Sequence, residues 1–152
     1  MIEVFIREYQ SQDWLRLVEI HDTARMIELD LAGLSDAFVP LIEAASNEGL
    51  FDYSIQVALI NDKVVGFVAY SDDELAWLYV DPVYMGQGIG KYLVKHVIEN
   101  TRKRPLGAEV LVGNEPAIHL YQSMGFEIVD TCSGVMPGNE AFQVTVCCMH
   151  KL

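Results

Sequence analysis

Basic residues are scarce: lysine and arginine together number 10, against 22 aspartates and glutamates, for a formal net charge of −12 at pH 7. A polyanion is repelled by an acidic protein, so this balance excludes nonspecific nucleic-acid binding and points to a cationic partner. Long apolar runs are also lacking. The amino terminus MIEVFIREY carries charge within its first three residues, and neither a signal peptide nor a membrane anchor is expected there. The expectation is a soluble, cytoplasmic protein. Cysteine is sparse: Cys132, Cys147 and Cys148 form an odd set without the paired spacing of a zinc or redox site. They read as reduced, strand-borne residues. His21, His96, His119 and His150 are scattered and make neither HExxH nor HxH, so no metal is expected. Linkers, repeats and low-complexity stretches are absent as well. The 152 residues, 51% apolar and 21% charged, suit a single domain over 1–152 with one compact core.

Periodicity supplies the elements. Residues 2–8 read as a strand, and Ser11 stands where a helix N-cap would precede Trp14, Leu17 and Val18. A second helix is expected over 35–47, with Ser35 as cap, Phe38, Leu41, Ile42 and Ala45 at helical spacing, and Gly49 as its stop. The run from Tyr53 to Asp81 divides into three strands at Asn61-Asp62 and at Ser71 to Asp73, an antiparallel meander. An amphipathic helix follows, with Ile89, Leu93, Val94, Val97 and Ile98 on one face. Residues 107–113 form another strand. Asn114-Glu115-Pro116 opens a helix that stops at Gly125. Two last strands, near 126–132 and 142–150, flank a Gly- and Pro-bearing connection, SGVMPGNEA.

One junction carries chemistry. Leu78-Tyr79-Val80-Asp81-Pro82 leads through Met85-Gly86-Gln87-Gly88-Ile89-Gly90-Lys91 into the amphipathic helix. Glycines let backbone amides turn inward, and a helix start adds unpaired N–H groups and a positive dipole end, which together suit a phosphate. Spacing excludes two other phosphate loops. Gly86, Gly88 and Gly90 run GxGxG where a dinucleotide fold needs GxGxxG, and a P-loop would need Gly at position 85 and Ser or Thr at position 92.

The junction resembles the loop of the GNAT acetyltransferase superfamily, written Arg or Gln, two residues, Gly, any residue, then Gly or Ala. Met85 here replaces the opening Arg or Gln and removes one polar contact near the phosphates. Asn114, Ala117, Tyr121, Gly125 and Phe126 match a second signature of that family, NxxAxxxYxxxGF. The resemblance spans nearly the whole chain, although the first 50 residues match only in pattern. It implies an α/β (α+β) fold: a mixed, mostly antiparallel, twisted sheet of about seven strands with helices on both faces. It also implies acetyl-CoA as donor, bound where the fourth and fifth strands splay and held by Leu78, Tyr79 and Val80, by Met85 through Lys91, and by Asn114, Ala117 and Tyr121. No other cofactor is implied, and a homodimer is compatible with the family.

By the same resemblance Tyr121 is the acid that protonates the departing thiolate, and Glu74, at the head of the fourth strand, is the candidate base. Each has a plainer reading: Tyr121 as a packed helix aromatic, Glu74 as a solvated turn acid. Strand alternation places Glu74 on the face of Ala76, Leu78 and Val80. The acids from Asp13 to Asp62 are opposed only by Arg16 and Arg25, which favours an ammonium acceptor, a small amine or a peptide, though most of these acids serve solubility. The alternative is a module of the same fold that binds acetyl-CoA or a protein partner without catalysing transfer.

Overall fold

The structure is a computed structural model that describes residues 3–152. Its elements, in chain order, are β1 (Phe5–Glu8), α1 (Trp14–Leu31), α2 (Leu41–Asn47), β2 (Ser54–Ile60), β3 (Lys63–Tyr70), β4 (Glu74–Val80), α3 (Ile89–Asn100), β5 (Leu106–Leu111), α4 (Glu115–Ser123), β6 (Glu127–Met136) and β7 (Asn139–Lys151). They build one seven-stranded sheet in the order β1-β2-β3-β4-β5-β7-β6. Every neighbouring pair is antiparallel except β4 and β5. Of the strand expected over 2–8, residue 2 lies outside the described residues.

The sheet separates two principal cores instead of enclosing one. β3 feeds both, its alternation broken by a bulge at Val65, the extra residue opposite Ala58 and Leu59: Val65, Val68 and Tyr70 pack toward α3 and α4, while Val64, Phe67 and Ala69 pack toward α1 and α2. That two-sided burial explains why KVVGFVAY reads as an almost unbroken apolar run. The β2–β3 hairpin turns at Asn61 and Asp62, both at positive φ (49° and 65°). Two such residues in succession match the right-handed twist of the flanking strands. A smaller cluster of Leu29, Ala37, Leu111 and Met136 seals the end of α1 against β5 and the β6–β7 hairpin.

Several expectations change. The helix expected over 35–47 divides: Ser35–Ala37 is a single 3-10 turn, and α2 starts after Pro40. A proline lacks the amide and drives the residue before it out of helical conformation, so the periodicity could not run through. Ile42, expected on the buried face, is 67% exposed. Ser35 does not cap; its hydroxyl donates to Asp30 at 2.8 Å. Nor does Ser11 cap α1. It begins a 3-10 turn ending at Asp13, whose carboxylate accepts from the Gln10 amide at 2.9 Å and from both arms of Arg7 at 2.8 and 3.0 Å. The connection SGVMPGNEA is mostly strand. Only Pro137 and Gly138 (φ 77°) separate β6 from β7, because proline followed by a positive-φ glycine is a tight turn in itself.

Two irregularities open the site. Parallel pairing of β4 and β5 is confined to Glu74↔Gly107 and Leu75↔Ala108, after which the strands part. Between Ala69 and Tyr70 the β3–β4 register also shifts, so that Tyr70 faces Leu75 and Ala69 faces Trp77, leaving Ala76 as the extra residue of a bulge.

Candidate active site

The glycine loop is set by what precedes it. Arg16, on α1, donates to the Val64 carbonyl at 2.8 Å and grips the Asp81 carboxylate, whose other oxygen accepts from the Val83 amide at 3.0 Å. Burial opposes ionisation of Asp81, but Arg16, the Val83 amide and Lys63 outweigh it and hold the carboxyl below its ordinary value. From this anchor the chain enters Met85 to Gly90, with Gly86 at φ 80° and Gly88 at φ 82°. Both positions demand glycine for the backbone conformation, and nothing lies within 4 Å of a Cβ added at either. Gly88 is the N-cap of α3, and no side chain caps it. The first amides of α3 thus point outward without partners. Gly90, without positive φ, lies close to α4: a Cβ there would meet the Cδ2 end of Leu120 at 2.9 Å.

A groove of about 740 Å³ runs from this loop along the parted edge of β4. It brings together most of the residues expected at the donor: Leu78, Tyr79 and Val80, then Met85, Gly86, Gly88, Ile89, Gly90 and Lys91, then Asn114 and Ala117. Gln87 is exposed and does not line it. Asn114 caps α4, its side-chain oxygen accepting from the Ala117 amide at 3.4 Å.

A second cavity, about 470 Å³, lies on the other side of the parting. Tyr121 and Glu74 border this one. The bulge at Ala76 overturns simple alternation in β4: Leu75, Leu78 and Val80 pack on the α3 side, whereas Ala76, Trp77 and Tyr79 pack on the α1 side. Glu74 therefore shares the face of Trp77 and Tyr79. There its carboxylate accepts from the Tyr53 hydroxyl at 2.9 Å, and burial followed by this bond pushes the Tyr53 phenol up to about 12. Tyr121 is 5% exposed and meets Phe126 edge to face at 5.2 Å. Burial, with help from Glu28, raises its phenol above the ordinary value, so the hydroxyl keeps its proton.

The remaining lining was not foreseen. His21, Arg25 and Glu28 stand at helical spacing along one stripe of α1 and face the cavity, with Glu48 beyond them. His21 is 2% exposed, edge-on to Tyr79 at 4.8 Å, with Nδ1 2.9 Å from Asp22. Burial lowers its pKa despite Asp22, so the ring is neutral near pH 7. Glu28 accepts from Asn114 Nδ2 at 2.9 Å and from Arg25 Nη1 at 3.5 Å. Burial raises the carboxyls of Glu28 and Glu48, with Arg25 opposing in both. Glu109, Cys132 and residues 133–137 close the far wall. Only a stripe of polar residues at positions 21, 25 and 28 could have announced this site, and such a stripe looks identical to a solvated helix face. Among the described residues no group of His, Cys, Asp and Glu is placed to hold a metal, and no helix is long and apolar enough to cross a membrane.

A strand parted from its parallel neighbour, a glycine loop feeding an uncapped helix and a mostly antiparallel seven-stranded sheet define a class. The acetyltransferase (GNAT) domain family matches residues 51–128, and the chain belongs to that family, as an N-acetyltransferase. The peptidyl-lysine N-acetyltransferase YjaB of Salmonella typhimurium is 30% identical over 124 residues, covering 81% of this chain and 83% of that protein. The ribosomal protein bS18-alanine N-acetyltransferase of Escherichia coli is 37% identical over 89 residues, 54% of this chain and 60% of that one. In three dimensions yncA of Salmonella typhimurium, solved with its cofactor acetyl-CoA, superposes with a TM-score of 0.69 at 20% identity, covering 97% of this chain and 92% of that one.

Proposed function

We propose that the chain transfers the acetyl group of acetyl-CoA to a primary amine of a cationic small molecule or peptide, by direct attack in a ternary complex. The observation that carries this reading is the meeting of two unlike cavities at the parting of β4 and β5. Leu78 and Tyr79 of β4, with Glu28 and Ala117, line both. One cavity ends in free helix amides and glycines suited to a pyrophosphate. The other is bordered by Glu28, Glu48, Glu74 and Glu109 against Arg25, a balance that favours an ammonium and disfavours a carboxylate. Acetyl-CoA in a structure of the same fold, and the lysine and alanine acceptors of the relatives, support both halves.

In this reading the amides of the loop and of α3 hold the phosphates, with Lys91 beside them, and the pantetheine arm lies along Leu78, Tyr79 and Val80. The backbone groups that β4 presents to the gap have no strand partner beyond Leu75; they can pair with that arm and polarise the thioester carbonyl. Tyr121 protonates the leaving thiolate. Glu74 waits at the acceptor's end of the cavity as base or as electrostatic attractor. Release of CoA thiol from acetyl-CoA across a panel of lysine peptides, amino-terminal peptides and diamines tests the proposal. Turnover on a cationic amine is expected; tight acetyl-CoA binding without turnover on any acceptor would refute it in favour of a binding module.

A further inference from the structure

A protonated alkylamine cannot attack a carbonyl. With a pKa of about 10.4 it is neutral at pH 7 in only about one molecule in 2,500. A group at the reacting centre that takes its proton would raise the supply of neutral amine there. Acetyl transfer can happen only where the donor groove meets the acceptor cavity, and that junction is lined by Glu28, Leu78, Tyr79 and Ala117. Glu28 is the one carboxylate among them. Glu74 is different. It belongs to the acceptor cavity alone and is tied to Tyr53. At about 3.3 Å per residue, β4 carries it roughly 15 Å from Tyr79.

We propose that Glu28 is the proton acceptor for the attacking amine; the role rests on the acetyl-transfer reading above. An ammonium that reaches the junction gives one proton to a Glu28 oxygen. The freed lone pair attacks the thioester carbonyl carbon, the C–N bond forms and the C–S bond breaks. The thiolate takes a proton from Tyr121, the nitrogen, now acylated, returns its second proton to the Tyr121 phenolate, and Glu28 passes the first to solvent. The sum is an amide, CoA thiol and one proton released to solvent.

The surroundings suit that role. Arg25 and His21 flank Glu28 on α1, the Tyr79 hydroxyl stands beside it from β4, Asn114 donates to it from the cap of α4, Tyr121 lies on the same helix, and Glu48 follows α2. Asn114 and Arg25 keep the carboxylate fixed in place, while burial raises its affinity for a proton. A carboxyl displaced upward in this way is better matched to an ammonium than a solvated one.

The test compares two acceptors, a lysine tripeptide and the same tripeptide with an aminooxy side chain, which is already neutral at pH 7. Both are assayed by CoA-thiol release with wild type, Glu28→Gln, Glu74→Gln and Asn114→Ala, alongside acetyl-CoA affinity and melting temperature. Glu28→Gln is expected to lower kcat/KM about 10²-fold on the lysine peptide and only a few-fold on the aminooxy peptide, with acetyl-CoA affinity retained and the acid limb of the pH profile lost. Asn114→Ala removes the bond to Glu28 but keeps the carboxylate, so it should lower both acceptors alike and retain the acid limb. Equal losses on both acceptors for Glu28→Gln would leave Glu28 a brace for Asn114 and overturn the proposal. So would a selective loss in Glu74→Gln alone. A wild type inert toward both peptides and toward the whole acceptor panel would instead strike the amine-transfer reading, and the base assignment with it.

Discussion

The two cavities are built by different means. The donor groove rests on backbone: positive-φ glycines at 86 and 88, an uncapped helix start at Ile89 and the parted edge of β4. The acceptor cavity rests on side chains brought from α1, α2, β4, β5, α4 and the β6–β7 hairpin, none of which makes a site with its sequence neighbours. A backbone site depends little on the identity of most of its side chains. A side-chain site can be retuned residue by residue.

Substitutions should split along this division. The largest effect is expected on the chemistry: Tyr121→Phe should lower turnover roughly 10²-fold while leaving the acetyl-CoA dissociation constant unchanged. Steady-state rates beside equilibrium binding decide it, and an equally active variant would return Tyr121 to packing against Phe126.

Next come the glycines. Gly88→Val forces a branched side chain into a left-handed conformation at the phosphate end and should weaken acetyl-CoA binding at least about tenfold, seen by calorimetry. Gly90→Val adds bulk in the same groove, and its Cβ meets only the mobile Cδ2 tip of Leu120, so it should weaken acetyl-CoA binding with a loss of no more than about 1 kcal/mol in chemical denaturation. If both variants lose cofactor affinity without losing stability, Gly90 also touches the donor. Met85→Arg restores a polar contact and should bind acetyl-CoA equally or more tightly.

A smaller effect concerns stability in the acceptor cavity. Burial raises the Glu28 carboxyl in the folded protein. For an acid with a raised folded pKa, the ionised form is the costly one: the penalty is full above the folded pKa and gone below the unfolded value near 4.3. Glu28→Gln should therefore melt at or above the wild-type temperature at pH 7, and this advantage should shrink as the pH falls toward 4.3. His21 has the opposite sign. Its folded pKa is lowered, so its contribution is complete above about 6.5 and is lost as the pH falls toward the folded value. Melting curves of His21→Asn and Glu28→Gln across this range should diverge from wild type in opposite directions.

The smallest effect is salt. The acids between Asp13 and Asp62 were expected to attract an ammonium collectively, but among them only Glu28 and Glu48 line the acceptor cavity. Asp13 is held by Arg7, Asp22 serves the Leu41 amide and His21, and Asp30 holds Ser35. The KM of a cationic acceptor should still rise with ionic strength, since exposed charges are screened beyond about 8 Å at physiological salt. The rise should be modest. Preference for an acidic acceptor would refute the electrostatic argument.

Amino-acid order alone determined the local features. Asn61-Asp62 marks its hairpin, Asn114 its cap, Gly86 and Gly88 their turns and Ile89, Leu93, Val94 and Val97 their buried stripe, because each depends on the φ/ψ preference or periodicity of residues a few positions apart. That the glycine loop and the edge of β4 share one groove was legible for the same reason, the groove being one continuous strand, loop and helix beside a capped helix. Tertiary structure decided the rest. The bulge that turns Glu74 toward Trp77 is a mismatch between β3 and β4, invisible to alternation within either. The approach of Leu120 to Gly90 is a contact between two helices far apart in sequence. Glu28 became a candidate only when the folding of α1 over the parted strands took one acid of a polar stripe partly out of water and set it between two cavities, and desolvation is a property of what surrounds a residue.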